Sequence, residues 1–400
     1  MPGGTSPPVV ISDALFIHLQ GADMGPVATM RTRRTGIRVG GSKHGADVVL
    51  DEVSVLKGRS EVLKFWEVEI EQLNSNPRVS DTLESLLRKA GASDHDGRPK
   101  VFHALNLPAP SPPVSPRSHD SDQVHLSYML TRQLDSILSH DPGMRVGGES
   151  EDVHQMRVAI RRMRSILRVA RPLVEVEWAE SLRQHLNWLG RRLGMARDLD
   201  VQITYFQNQK NSVTTVDRAG LEQFIAYLQK KRTKVQHELV GELRRSRYVK
   251  LVNRLTLDVR QPHCIPHKTT LQELAGKAFR KLCKAVKNID VRACSARWHC
   301  VRILAKRARY AAELSAPRWG QPATRFIEQI KNIQDYLGEI QDAVIAENIL
   351  RRYTSKARGR RSTLLAGQMV ERQHQRQYNA KKAFFSTWKD VRKCGQHLWP

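Results

Sequence analysis

The sequence predicts a mainly α-helical protein, a tandem repeat of two four-helix units that form a bundle with a central basic groove. A small, partial β region precedes the repeat. Three observations predict this architecture. Helix-type periodicity continues from about residue 123 onward. A motif at 153–173 recurs at 298–318. Residues 27–73, by contrast, contain three β-rich runs.

The β region is expected over 1–106, with strands at 27–39, 47–56 and 61–73. Lys57-Gly58-Arg59-Ser60 separates the second and third runs and indicates a hairpin. A short helix is predicted over 80–92, with Ser80 as its N-cap and Gly91 near its end. Residues 107–122 are rich in proline and serine and are predicted to be a linker.

The helical region is expected over 123–395, with repeat 1 at about 123–258 and repeat 2 at about 268–395. The segments 153–173 and 298–318 align at an offset of 145 residues. A second match, 193–201 with 337–345, has an offset of 144. Two matches at nearly the same offset favour a duplication. The first alignment pairs His154 with His299, Arg157 with Arg302, Arg161 with Lys306, Arg162 with Arg307, and Arg164 with Arg309.

The repeated segment carries a one-sided row of basic residues. At about 100° per residue, the basic side chains fall within an arc of roughly 80°, separate from an apolar arc. In repeat 1 this stripe comprises His154, Arg157, Arg161, Arg164 and Arg168; in repeat 2 it comprises His299, Arg302, Lys306 and Arg309. Glu313 occupies the position equivalent to Arg168. Like charges at this spacing repel, and a bound polyanion would relieve the repulsion. If the two helices face each other, their stripes line one positively charged groove.

The net charge of +26 supports an acidic partner: nucleic acid, an anionic membrane surface or a phosphate polymer. Aromatic residues make up only 6% of the chain, which disfavours a base-stacking single-strand binder. No membrane-spanning run or secretory signal is predicted. Five scattered cysteines are typical of reduced thiols in a cytosol, and the HCIPH segment at 263–267 is interpreted as a loop.

Arginine and lysine at these positions suit phosphate oxygens, because a guanidinium offers a planar fork of donors and an ammonium offers a point charge. A solvated helix face is the alternative. For the two histidines, the alternative is a polar position near a helix start. Arg197 is a further candidate, although its counterpart is Gln341. Asp198 and Asp342 are expected to orient arginines, and Arg162 and Arg307 to lie at a flank or in intramolecular pairs.

The pattern H-x-x-R-x-x-x-R-R-x-R at 154–164, with H-x-x-R-x-x-x-K-R-x-R at 299–309, resembles the CHAD (conserved histidine α-helical domain) family. Two further features are similar to the same family: the motif L-G-x-x-x-D, at 193–198 and again at 337–342, and the stretch at 243–255. The resemblance covers about 123–395. It implies helical tandem repeats that bind inorganic polyphosphate. Together with the basic stripe and the further candidate Arg197, it predicts these polyphosphate ligands: His154, Arg157, Arg161, Arg164, Arg168, Arg197, His299, Arg302, Lys306 and Arg309.

The stretches ATMRTRRTGIRV, VVLDEVSVL and FWEVEIEQL resemble the C-terminal part of a CYTH (triphosphate tunnel) domain. That family's fold is a barrel with acidic metal ligands and basic phosphate ligands inside. The resemblance implies tunnel-lining roles for Glu67, Glu69 and Glu71 on one strand face and for Arg31 and Arg33 on another. The family's opening E-x-E-x-K strand is absent from residues 1–26. We therefore expect no triphosphatase activity and no cofactor, with a divalent cation only if the domain were complete.

The sequence thus predicts a non-catalytic, cytoplasmic polyphosphate-binding protein and leaves association with polyphosphate granules and the oligomeric state open. No membrane partner is expected. Two alternatives remain. One is a nucleic-acid-binding protein, which would bind DNA or RNA comparably through charge spread over a convex face. The other is an inorganic triphosphatase, which requires a longer N-terminus that completes the CYTH-like domain.

Overall fold

A computed structural model describes residues 8–22, 24–40, 45–72, 77–109, 114–147, 150–355 and 360–400. The chain divides into two compact units. The first comprises Met1–Ala22 with Val114–Pro400, and the second comprises Asp23–Pro113. Two short helices, α1 (Val9–Ala14) and α2 (Phe16–Leu19), begin the described part of the first unit. No helix among the described residues is long and apolar enough to cross a bilayer.

The second unit is built on a three-stranded antiparallel sheet in the order β1-β2-β3. The strands β1 (Thr29–Val39), β2 (Ala46–Lys57) and β3 (Ser60–Gln72) correspond closely to the three predicted runs. The tight turn between β2 and β3 contains Gly58 with a φ of +64°, a conformation that favours glycine. The predicted hairpin is therefore confirmed.

Two helices follow the sheet, α3 (Pro77–Lys89) and α4 (Lys100–Ala104). The helix predicted over 80–92 begins three residues earlier, at Pro77, so Ser80 lies inside it and is not its N-cap. Proline suits a first helical turn because its missing N–H would have no partner there. Ser80 instead hydrogen bonds with Gln72 of β3.

The first repeat contains α5 (Asp122–Val146), α6 (Ser150–Val169), α7 (Val176–Asn208) and α8 (Thr215–Leu243), followed by a shorter α9 (Ser246–Asp258). Successive helices pack against one another around one apolar core. The second repeat contains α10 (Leu271–Lys287), α11 (Ser295–Trp319), α12 (Gln321–Thr354) and α13 (Arg360–Leu398) around a second core. A third apolar cluster draws on α7, α8, α12 and α13 and so joins the repeats.

Residues 8–22 belong to the helical unit, whereas the sequence suggested a β region running over 1–106. Ile17 is buried in the first core. Asp13 forms an ion pair with Arg244, and the side chains of Gln20 and Asn253 hydrogen bond to each other. These contacts between residues far apart in sequence leave no local signal that periodicity could detect. The boundary between the units, after Pro113, falls within the predicted linker.

Candidate functional site: a cationic cluster between two repeated helices

Helix α6 orients the first basic stripe by burying its apolar arc. Met156, Ile160, Met163 and Leu167 are each at most 1% exposed. Because these residues recur every three or four positions, burying them turns the basic arc away from the first core. The amphipathic pattern predicted for this segment is therefore confirmed.

Helix α11 packs against α6, as the duplication suggested. Arg161 Nε of α6 donates a hydrogen bond to Tyr310 Oη of α11 at 3.4 Å. Arg162 of α6 lies 3.6 Å from Glu313 of α11, which confirms the intramolecular pair considered for Arg162. The repeated helices face each other and bring their basic side chains together.

Four side chains form what we call the central cluster: Arg157 and Arg161 from α6, and Arg302 and Lys306 from α11. Burial, together with the charges of Arg161 and Arg302 nearby, lowers the pKa of the Lys306 ammonium to about 5. Burial also lowers the pKa of Arg302. Lys306 is therefore mainly uncharged at neutral pH, whereas arginine keeps its charge.

Two carboxylates border the central cluster. Arg157 Nη1 donates to Asp198 Oδ1 at 2.8 Å, and both side chains are about one third exposed. Asp342, at the equivalent position of repeat 2, is an electrostatic neighbour of Arg302, and burial raises its pKa. The expectation that Asp198 orients an arginine of the stripe is confirmed by its hydrogen bond with Arg157.

The two repeated histidines have different surroundings. Burial, with the charge of Arg197 nearby, lowers the pKa of the half-buried His154. His299 is exposed, and its Nδ1 lies 2.8 Å from Gln341 Oε1. Arg197 and Gln341 occupy equivalent positions in the two repeats. The neighbour of the histidine is therefore an arginine in repeat 1 and a glutamine in repeat 2. The first copy thus places a cation, Arg197, near its histidine, whereas the second places an amide, Gln341, beside its own.

The remaining stripe residues also diverge between the copies. Arg164 is half-buried beside Arg183 and Arg191, and burial lowers its pKa. Its counterpart Arg309 lies 3.3 Å from Glu313 and 4.7 Å from the centre of the Tyr310 ring. Arg168 is exposed and adds to the positive charge around Arg307. Among the described residues, Arg164 therefore has cations as its charged neighbours, whereas Glu313 partly neutralises Arg309.

Sequence reasoning missed several neighbours of the stripe and of its carboxylates: Tyr310, Arg183, Arg191 and Arg376. Tyr310 is fully buried and contacts basic residues of both repeats. Arg376 of α13 is an electrostatic neighbour of Asp342 and lies over the Tyr205 ring. None of these residues belongs to the duplicated basic pattern, so no signal in the sequence marked them.

The fold and this site define a class of protein, an all-helical tandem repeat with a partly buried cationic centre. The CHAD domain family model matches residues 128–351. The chain belongs to the CHAD domain family. The matched residues lie within the helical unit and include the whole central cluster, whereas the CYTH-like interpretation of the β region stays a prediction.

Two curated relatives and two solved structures resemble the chain. It is 25% identical over 298 residues to the uncharacterized proteins MT2285 and Rv2226 of two Mycobacterium tuberculosis strains, CDC 1551 / Oshkosh and ATCC 25618 / H37Rv. That alignment covers 71% of this chain and 56% of each relative, so the chain spans about half the length of these relatives.

The crystal structure of the CHAD domain from the plant Ricinus communis aligns with a TM-score of 0.58 and 22% identity, over 68% of this chain and 93% of that one. PptA from Streptomyces chartreusis aligns with a TM-score of 0.57 and 19% identity, over 67% and 99% of the respective chains. At these identities the likeness supports the helical fold alone.

Proposed function

We propose that this protein binds inorganic polyphosphate through the central cluster, without catalysis and without a cofactor. The observation that carries the proposal is the accumulation of cations where two repeated helices meet. Two arginines, Arg161 and Arg157, are positively charged neighbours of Arg302. Two carboxylates, Asp342 and Asp198, are its negatively charged neighbours. Its buried Nε makes no hydrogen bond among the described residues. A buried charge without full compensation is costly, and a bound anion would supply the missing partner.

The spacing of the stripe favours a linear anion over a compact one. Successive cations on α6 occur every three or four residues, so a chain lying along the helix would pass one in each turn of about 5.4 Å. Successive phosphates would then contact three groups along the helix: the pair His154 and Arg197, the central cluster, and Arg164. Much of the affinity would come from counterion release, with the steep salt dependence seen for nucleic acids.

The test is competition binding at near-physiological salt, with labelled long-chain polyphosphate and unlabelled duplex DNA and RNA as competitors. The variant carries Arg157→Gln and Arg302→Gln, since glutamine avoids new repulsion with Asp198 and Asp342. The control carries Arg292→Gln and Arg352→Gln, two exposed residues whose loss removes the same net charge.

We expect the cluster variant to lose at least a hundredfold in polyphosphate affinity while the control loses a fewfold at most. Equal losses in the two variants would refute the cluster as the binding site. Equal competition by DNA or RNA would favour the nucleic-acid-binding alternative. The triphosphatase alternative depends on a complete CYTH-like domain, and release of phosphate from triphosphate by the full chain would support it.

The proposal also carries a cellular expectation. A protein that binds polyphosphate in the cytoplasm would collect where the polymer accumulates. Fluorescence microscopy of the tagged chain, with and without the two cluster substitutions, would test association with polyphosphate granules.

A further inference from the structure

The second unit brings three metal-ligating side chains together. Glu67 lies on β3, His95 lies in the segment after α3, and His103 lies in α4. Their candidate ligand atoms all lie within 4.8 Å of one another. All three border a cavity of about 650 Å³ in this unit.

The carboxylate of Glu67 is directed at this point and lacks a donor there. Its side chain is 12% exposed, and its buried Oε1 makes no hydrogen bond among the described residues. Oε1 lies 3.7 Å from His95 Nε2, while Oε2 lies 3.4 Å from Lys100 Nζ. A buried carboxylate oxygen without a donor is destabilising unless a cation or a proton occupies the space in front of it.

The charge around Glu67 also favours a cation. Lys100 interacts with Asp51 and Glu69 as well as Glu67, and Arg34 interacts with Asp51 and Glu69. Arg34 also pairs with Glu71, so four carboxylates share these two cations. Lys100 fixes the second oxygen of Glu67, an arrangement that resembles the outer contacts that orient metal ligands.

Each histidine ring has a polar contact that favours one tautomer. His103 Nε2 lies 3.2 Å from Asp96 Oδ1, which favours a proton on that nitrogen and leaves the lone pair on Nδ1. Asp96 is itself held by the backbone N–H of Arg98 at 3.0 Å. The backbone N–H of Gly97 donates to His95 Nδ1 at 3.0 Å. Binding a metal through His95 Nε2 would therefore require the ring proton to move to Nδ1, with loss of the Gly97 bond.

We propose that Glu67, His95 and His103 bind one divalent transition-metal ion of the zinc class. Two imidazoles and one carboxylate suit zinc, cobalt or nickel better than magnesium or calcium, which prefer oxygen ligands. Ligand distances of about 2.0–2.2 Å require the three atoms to approach by roughly 1.5 Å. His95 is exposed and lies outside the helices, so it can make most of that movement. Three protein ligands leave a fourth position open for water.

The experiment uses the full chain, treated with a chelator and titrated with Zn²⁺ by calorimetry and with Co²⁺ by visible absorption. We expect one high-affinity equivalent and the absorption bands of four- or five-coordinate Co²⁺. Substituting His95→Ala and His103→Ala together should weaken binding at least a hundredfold. The control carries His119→Ala and His237→Ala, two exposed histidines of the helical unit, and should bind like the wild type.

Glu67→Gln preserves the volume of the side chain and should weaken binding at least tenfold, with an unchanged circular dichroism spectrum. Zn²⁺ binding that survives the double histidine substitution would overturn the proposal, as would a wild type without a saturable equivalent. Full affinity in the Glu67→Gln protein would also overturn the three-residue site. Polyphosphate affinity, measured in parallel, should not change in these variants, because the metal proposal does not depend on the polyphosphate proposal.

Discussion

Lys306 provides a direct way to test whether an anion enters the central cluster. With a pKa of about 5 in the free protein, Lys306 is almost entirely neutral at pH 7. Charging it at that pH costs about 3 kcal/mol, from two pH units at about 1.4 kcal/mol each. A bound polyphosphate would stabilise the ammonium and raise its pKa, so binding should take up a proton at this residue. Affinity should therefore increase as the pH falls.

The comparison is between the wild type and Lys306→Met, which removes the ammonium and keeps a side chain of similar length. Near pH 6 to 7, one linked proton makes affinity change roughly tenfold per pH unit. His154 and the terminal phosphates also titrate, but they contribute to both proteins. The slope of the logarithm of affinity against pH gives the number of protons taken up on binding. This number should be larger for the wild type than for Lys306→Met by about one, and the two affinities should converge at high pH.

Calorimetry in two buffers of different ionisation enthalpy counts the protons directly. Lys389→Met serves as the control because Lys389 is exposed on α13 and undergoes the same change of side chain. Equal proton uptake by the wild type and Lys306→Met would refute entry of the anion into the cluster. An affinity at pH 6 that is the same in Lys306→Met as in the wild type would refute it as well.

The same substitution should stabilise the free protein. The unfolded chain holds the Lys306 proton up to its ordinary pKa of 10.5, whereas the folded chain releases it above about pH 5. This group's contribution to stability therefore rises with pH across that window and is lowest in acid. Replacing this buried lysine by an apolar side chain removes the cost of releasing its proton on folding and should raise the free energy of unfolding by about 1–4 kcal/mol. Urea unfolding of Lys306→Met against wild type at pH 6 measures the difference.

Two other substitutions test the site and the packing. Asp198→Asn removes the charged partner of Arg157 and should tighten polyphosphate binding by up to roughly fivefold. The control is Asp390→Asn, at an exposed position. Weaker binding by Asp198→Asn would contradict the view that Asp198 competes with the anion for Arg157. Gly395→Ala should lower the free energy of unfolding in urea by about 1–3 kcal/mol, because a Cβ there overlaps the Phe279 ring. At Gly338 a new Cβ would meet no described heavy atom within 4 Å beyond its chain neighbours and the nearby backbone of its own helix. Gly338→Ala should therefore stabilise its helix by about 0.5–1 kcal/mol, and equal effects of the two substitutions would contradict this packing.

The sequence predicted those features that repeat or alternate along the chain. The offset of 145 residues identified α6 and α11 as counterparts, and the structure places them in contact. The period of the apolar residues predicted which face of α6 is buried, and alternation predicted the three strands to within a few residues. These patterns are visible in sequence because a helix or strand must bury one face wherever it lies.

The sequence could not predict how deeply each member of the stripe is buried. His154 and His299 have the same place in the motif, yet His154 is half-buried near Arg197, whereas His299 is exposed beside Gln341. The contact of Arg161 with Tyr310 joins residues 149 positions apart. Such contacts depend on how two helices from different repeats pack, and one-dimensional periodicity contains no information on that geometry.

The exchange of arginine for lysine between the repeats follows from this packing. Arg161 and Lys306 are equivalent in the motif and are brought together where α6 meets α11. A guanidinium keeps its charge when buried, so two arginines here would repel each other at any physiological pH. A lysine can release its proton, which lowers the repulsion in the free protein, and can regain it when an anion arrives. A neutral lysine at one of the two central positions therefore reduces the repulsion that arises where the duplicated stripes meet.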